Sequence, residues 1–237
     1  MAKILLLETA TEVCSTAISV DGRVVALEEI PRAESHSAVL TLQIEACSRA
    51  SGIALHQLDA IAVSAGPGAY TSLRVGVATA KGLCYALGKP LIAVDTLRAL
   101  AAASRAATGP AASAIYLPMI DARRQEVWTA AFGPDMENLL PAQPLIMENN
   151  LFELFLSSIP DFSADVRLII SGSGGKKIEN VPKNEQAVLS NVVSCSAAYL
   201  TNLAEVNFKN SDFQDLAYFE PTYMKPPNIT VSTKSLL

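Results

Sequence analysis

Residue types that commonly build reactive sites are scarce in this sequence. Its 237 residues include two histidines, one tryptophan and four cysteines. His36 and His56 stand far apart, which excludes a histidine-rich metal site, and no Ser/His/Asp set is legible from spacing. Cys14, Cys47, Cys84 and Cys195 form no CxxC pair. That argues against a disulfide framework or zinc site and for four small buried hydrophobes in a reducing cytoplasm. Only 17% of residues are charged, and the net charge is -5. An acidic chain lacks the electrostatic footprint for gripping nucleic acid by itself, so a partner would have to hold any RNA. Long apolar runs are also missing. Met1–Glu8 is short, ends on a carboxylate and is not read as a secretory leader. Ala187–Ala204 carries no charge, but Ser190, Asn191, Ser194, Ser196, Thr201 and Asn202 make it too polar to span a membrane.

Half the residues are hydrophobic, enough for a sizeable core and against disorder. Strands are predicted at Ile4–Leu7, Val13–Val20 and Arg23–Ile30, the last two joined by the Asp21-Gly22 hairpin turn. A helix over Val39–Ala50 follows, with Ser35 or Ser37 as cap and Gly52 as stop. Its apolar arc covers roughly 240°, far more than one buried face needs. Val39, Leu40, Ile44, Cys47 and Ala50 form one side of it, and Leu42 and Ala46 extend it on the other. The excess has two readings, a second surface covered by a partner or a helix sandwiched inside its own domain.

Next come a strand at Leu58–Ser64, the Gly66-Pro67-Gly68 turn and a helix over Thr71–Leu87 that stops at Gly88. Arg74 and Lys81 are that helix's only charges. Gly76 and Gly82 suit the close approach of another backbone. A strand at Leu91–Val94 and a helix at Thr96–Ala107 complete a first lobe, 1–107. After a link through Thr-Gly-Pro, a second lobe, 108–225, restarts with strands at Ala114–Ile120 and Glu126–Phe132. It continues with a helix at Asn149–Ser158, a strand at Val166–Ser171 and a helix at Cys195–Asn207. The tail, 226–237, is expected to be flexible. Hairpin first, then strand–helix alternation, then the same again implies two related α/β lobes.

Three loops invite a ligand reading. Gly66-Pro67-Gly68 lies between strand and helix but lacks the lysine of a P-loop and the third glycine of GxGxxG, so it reads as a structural turn. Ser171-Gly172-Ser173-Gly174-Gly175 suits the approach of a ligand or simply a surface turn. At Asp121-Ala122-Arg123-Arg124 the carboxylate could hold a metal or water and the arginines phosphate or carboxylate; a charged hairpin turn is the plainer reading.

The run Ser64-Ala65-Gly66-Pro67-Gly68-Ala69-Tyr70-Thr71-Ser72-Leu73-Arg74-Val75-Gly76 resembles the GPGSFTGLRIG signature of the TsaB (YeaZ) family, which serves threonylcarbamoyladenosine formation in tRNA. Leu6–Thr11, Ser35-His36-Ser37, Ile120–Val127 and Glu220–Met224 are similar to other family segments, in order. Ala69, Tyr70, Ser72 and Gln125 depart from the pattern. The resemblance implies a two-lobed actin-like ATPase (ribonuclease H-like) α/β fold. It further implies a non-catalytic, cytoplasmic subunit that dimerises with the catalytic paralogue TsaD, helps recruit the ATPase TsaE, meets tRNA only through the complex and is a homodimer when alone. ATP and a metal would be used by the complex through partners. In the paralogue the segment after Leu91-Ile92 leads into an HxxxH metal pair; here Thr96 and Leu100 occupy those positions, and leucine cannot ligate a metal. The expected partner interface is Val39, Leu40, Ile44, Cys47, Val75, Ala78, Lys81, Gly82 and Tyr85. Thr9, Thr11, Asp121, Gly172 and Gly174 are candidates for facing a nucleotide. The rival readings are an ATP-dependent kinase or ATPase of the same fold, and a metallopeptidase.

Overall fold

The computed structural model describes residues 1–33, 35–109, 111, 113–148, 150–163, 165–178 and 187–225. The expected flexible tail, 226–237, lies outside them. The first sheet contains β1 (Lys3–Glu8), β2 (Cys14–Val20), β3 (Arg23–Ile30), β4 (Ala60–Gly66) and β5 (Leu91–Asp95), ordered β3-β2-β1-β4-β5. β1–β2–β3 is an antiparallel meander, and β1, β4 and β5 run parallel.

Residues of β1 alternate between two cores, as period-two geometry dictates. Leu5 and Leu7 point to the side covered by α1 (His36–Ser51) and α2 (Tyr70–Leu87). Ile4 and Leu6 point to the other side, where a 3-10 turn (Ala197–Leu200) and α5 (Thr201–Lys209) supply Ala197, Leu200 and Ala204. A central strand buried on both faces needs the unbroken apolar run Ile4–Leu7.

The second sheet repeats the first. β6 (Ala114–Asp121), β7 (Glu126–Phe132) and β8 (Asn138–Ile146) form the meander, and β9 (Arg167–Ser171) and β10 (Ala187–Leu189) add in parallel, in the order β10-β9-β6-β7-β8. Tyr116 and Ile120 of β6 face α3 (Thr96–Thr108); Ile115, Leu117 and Met119 face α4 (Leu151–Ser157). Two sheets of one strand order, each flanked by helices, make the two-lobed actin-like arrangement expected from the sequence.

The boundaries need correction. α3 sends Leu97, Leu100 and Ala101 into the second core and Ala99 into the first, so it belongs to both lobes. The chain from Ala197 returns to the first sheet. Gln214 bridges Leu91, and the Thr222 amide donates to the Ala65 carbonyl at 2.7 Å. Residues 197–225 therefore do not form part of a separate C-terminal lobe. The strands β8 and β10 were not legible in sequence. Pro141 and Pro144 disguise β8, and they are tolerated because it is an edge strand.

Candidate functional site

α1 and α2 lie side by side on one face of the first sheet, enclosing a groove of about 200 Å³ lined by Thr41, Ile44, Glu45, Ser48, Leu55, Thr79 and Leu83. The main arc of α1 points inward. Leu40, Ile44 and Cys47 are buried in the first core, and the Cys47 thiol donates to the Thr16 carbonyl at 3.1 Å. Gln43 is buried beside them and donates to the Cys14 carbonyl at 2.9 Å. The expectation that Leu40, Ile44 and Cys47 present a partner surface is thus corrected, because the sheet beneath already takes them. The outer face of α1 carries Thr41, Leu42 and the exposed Glu45–Arg49 pair at 3.2 Å; Leu42 is 61% exposed. Ser35 sits at the N-cap of α1, but its hydroxyl lies 3.0 Å from that of Ser37 and makes no cap bond.

α2 differs. Leu73, Gly76, Val77, Ala80 and Cys84 pack inward. Thr71, Arg74, Ala78, Gly82 and Tyr85, spaced three and four apart, form an exposed stripe, and Tyr85 is 85% exposed. A Cβ at Gly82 would meet nothing within 4 Å, whereas one at Gly76 would overlap the Thr9 hydroxyl. So Gly76 lets α2 settle onto the β1–β2 turn, and Gly82 leaves backbone open to solvent. Of the remaining interface candidates, Val39 and Val75 are half-buried against the first core. Lys81 is also half-buried, and its ammonium donates to the Phe219 carbonyl at 3.1 Å, pinned by its own chain. Arg74 stacks over Tyr70 at 4.3 Å and donates to the Tyr223 hydroxyl at 3.3 Å.

The turns at the ends of β1, β4, β6 and β9 are filled by the chain itself. Gly68 packs against the Ala10 backbone, and the Ala69 amide donates to the Ala10 carbonyl at 2.7 Å. Gly66, at φ +107, would place a Cβ 2.7 Å from the Thr222 carbonyl. Gly66-Pro67-Gly68 is thus a structural turn, as its sequence implied. Gly172 and Gly174 are buried, and what approaches them is Met119 and Val127, so they do not face a nucleotide. The conformational freedom read from the glycines serves strand-on-strand packing there. Thr9 is fully buried, and its Oγ1 has no hydrogen-bond partner; Thr11 is half-buried. Asp121 is exposed but engaged: its carboxylate takes the Lys177 ammonium at 2.5 Å and the Arg123 amide at 2.6 Å.

Burial shifts a carboxyl and three thiols in the first lobe. Burial raises the Glu8 carboxyl to about 7, against the opposing pull of the Ala10 amide (2.6 Å) and the Ser64 hydroxyl. Burial also pushes the thiols of Cys14 and Cys47 up to about 11 and that of Cys84 to about 12, which leaves them unreactive at neutral pH. All four cysteines are free and buried, as their scatter implied. His36 is buried, with Nε2 3.2 Å from the Val13 carbonyl, and packs rather than catalyses; His56 is exposed.

The positions of the paralogue's histidine pair do not fit a metal. The Thr96 hydroxyl accepts from the Gly66 amide at 3.2 Å inside the protein, and Leu100 is 1% exposed in the second core. Neither offers a free lone pair to open space. Among the described residues, no group of three or more His, Cys, Asp or Glu could hold a metal ion. No helix among them is long and apolar enough to cross a membrane.

Against known proteins, the profile of the family described as "TsaD: tRNA N6-adenosine threonylcarbamoyltransferase" matches residues 30–231. The chain is 35% identical over 133 residues to the tRNA threonylcarbamoyladenosine biosynthesis protein TsaB of Escherichia coli, a match covering 56% of each. It is 46% identical over 77 residues to the tRNA N6-adenosine threonylcarbamoyltransferase of a Jannaschia species, covering 32% of this chain and 21% of that enzyme. The chain thus spans about half the length of the TsaB relative and a fifth of the transferase. A Pseudomonas aeruginosa crystal structure, of an uncharacterized protein with similarity to peptidase YeaZ, superposes with a TM-score of 0.79 at 26% identity, covering 95% of this chain and all of the other. With a profile match over most of its length and a superposition covering 95% of it, the chain belongs to the threonylcarbamoyltransferase family, in its TsaB (YeaZ) branch.

Proposed function

We propose that this chain is a non-catalytic subunit in the formation of threonylcarbamoyladenosine in tRNA, and that it works by presenting the α1–α2 face to a TsaD-type catalytic subunit. The exposed stripe of α2 carries this reading. Ala78 and Gly82 are small enough for a second helix to approach closely, and Tyr85 is a large rigid side chain left in water. A second copy of the chain would use the same face when no TsaD-type partner is present. The buried Thr96 and Leu100 support the non-catalytic half of the reading, since the metal, the ATP and the transfer chemistry would then lie on partners, among them a TsaE-type ATPase. Contact with tRNA would come through the complex, in the cytoplasm.

Co-purification with the TsaD-type subunit, followed by sedimentation and by adenosine modification in vitro, tests the reading. Tyr85→Asp and Ala78→Arg are expected to fold with unchanged Tm, to lose assembly and to abolish modification. Leu40→Asp is expected to unfold the chain, because it buries an unpaired charge in the core. Modification by the single chain, or full assembly by folded Tyr85→Asp, would reject the proposal. Calorimetry with ATP and magnesium on the chain alone is expected to show no binding, and turnover there would favour the kinase or ATPase reading.

A further inference from the structure

Among the described residues, three hairpin tips carry left-handed backbone, and they are filled differently. At the β2–β3 tip stand Asp21 (φ 48) and Gly22 (φ 73), residues that adopt such angles at little cost. At the β6–β7 tip stand Arg123 (φ 68) and Arg124 (φ 49), which pay a steric penalty there. At the β7–β8 tip Met136 (φ 63) adopts this region alone, so among the described hairpin tips β6–β7 is the one that places two successive side chains longer than aspartate there. Residues held against local preference by their surroundings are found where the side chains have a task.

The surroundings are visible. The Asp121 carboxylate accepts from the Arg123 amide, and the Asp121 amide donates to the Ser173 hydroxyl at 3.1 Å. The Lys177 ammonium bridges Asp121 at 2.5 Å, the Arg124 carbonyl at 2.6 Å and the Glu126 carbonyl at 2.9 Å. The carboxylate of Glu126 is taken by Lys225. Asp121 and Glu126 are thus each paired with a lysine, and Lys177 also fastens the tip through the Arg124 carbonyl. Among the described residues, no carboxylate lies within salt-bridge distance of Arg123, Arg124 or Lys176, and all three side chains are exposed. In a chain of net charge -5, this is a local cationic tip on a rigid base.

We propose that Arg123 and Arg124, with Lys176, bind the phosphodiester backbone of RNA. This deepens the function proposed above and rests on it: the chain would add its own contact to a tRNA that the complex holds. Guanidinium forks suit phosphate oxygens, and a protruding tip suits a strand running past it. A mononucleotide would need a concave pocket for its base, and the space behind the tip is occupied by Met119 and Val127 packed on Gly172 and Gly174.

The test uses the assembled complex with the TsaD-type subunit and fluorescently labelled tRNA, titrated across a salt series. Arg123→Ala/Arg124→Ala is expected to weaken binding on the order of tenfold and to lower the slope of log K against log salt by about 1.5, the loss of two phosphate contacts. Arg123→Lys/Arg124→Lys should restore most of it. Arg123→Gly/Arg124→Gly should raise the Tm of the chain while weakening tRNA binding like the alanine pair, a split that a purely structural turn would not give. If the complex assembles and tRNA binds identically to wild type and variants, the inference is overturned while the partner reading stands; failure of the wild-type complex to assemble at all rejects that reading and this one with it. Equal competition by magnesium-ATP and by tRNA at matched phosphate would overturn the RNA assignment in favour of a nucleotide site.

Discussion

Glu8 shows how a single residue can cost a fold stability. Its carboxyl is raised to about 7 by burial, so the folded state prefers it protonated. The unfolded chain ionises it from its ordinary value of 4.5 upward. Stability therefore falls as pH rises from about 4.5 to about 7 and levels off above that, a total of roughly 3 kcal/mol. Glu8→Gln keeps an acceptor for the Ala10 amide and removes the charge. It is expected to match wild type near pH 4.5 and to be about 2–3 kcal/mol more stable at pH 8, measured as Tm and urea midpoint against pH. The glycines of α2 make a second pair at this scale. Gly76→Ala is expected to destabilise by about 1–3 kcal/mol, since its methyl has to displace the Thr9 side chain. Gly82→Ala, with open space around it, should stabilise the free chain by about 0.5–1 kcal/mol through helix propensity.

At the scale of elements, period and composition carried most of the fold, and they carried side-chain direction less well. The run Ile4–Leu7 and the Asp21-Gly22 turn were sufficient to place β1, β2 and β3. The wide apolar arc of α1 was legible, but its two sides were exchanged. Leu40, Ile44 and Cys47 meet the sheet, and Leu42, on the extension of the arc, meets water. A helical wheel gives the width of a face and not its heading; that is set by which neighbours the helix lies between. Of the α2 residues expected at an interface, Ala78, Gly82 and Tyr85 are exposed, whereas Val75 is half-buried and Lys81 is tied to the Phe219 carbonyl, a partner distant in sequence. The glycines at 172 and 174 suit a ligand or a surface turn by sequence alone, and in the fold they meet Met119 and Val127, since a glycine's spacing does not say whose atoms come near. The double arginine at 123–124 was visible as charge, but its strained backbone was not, because φ is unreadable from residue names.

Across the whole molecule, the restart at Ala114 announced a duplicated architecture, and the identical strand orders of the two sheets agree. The return of residues 197–225 to the first sheet carried no local signal, being a matter of long-range hydrogen bonds such as Thr222 to Ala65. Lys225 crosses to Glu126 of the second sheet and lies 5.7 Å from the Trp128 ring. Both partners are partly exposed, so Lys225→Ala should cost under about 1 kcal/mol in a thermal melt. The weight of the junction falls on α3 instead. Its amides are expected to exchange hydrogen as slowly as those of β4 and β6, with no faster sub-global opening. Swinging the halves apart would wet Leu97 and Leu100 on one flank or Ala99 on the other. A joint packed on both flanks makes the two sheets one cooperative body, so heating should melt them together in a single transition.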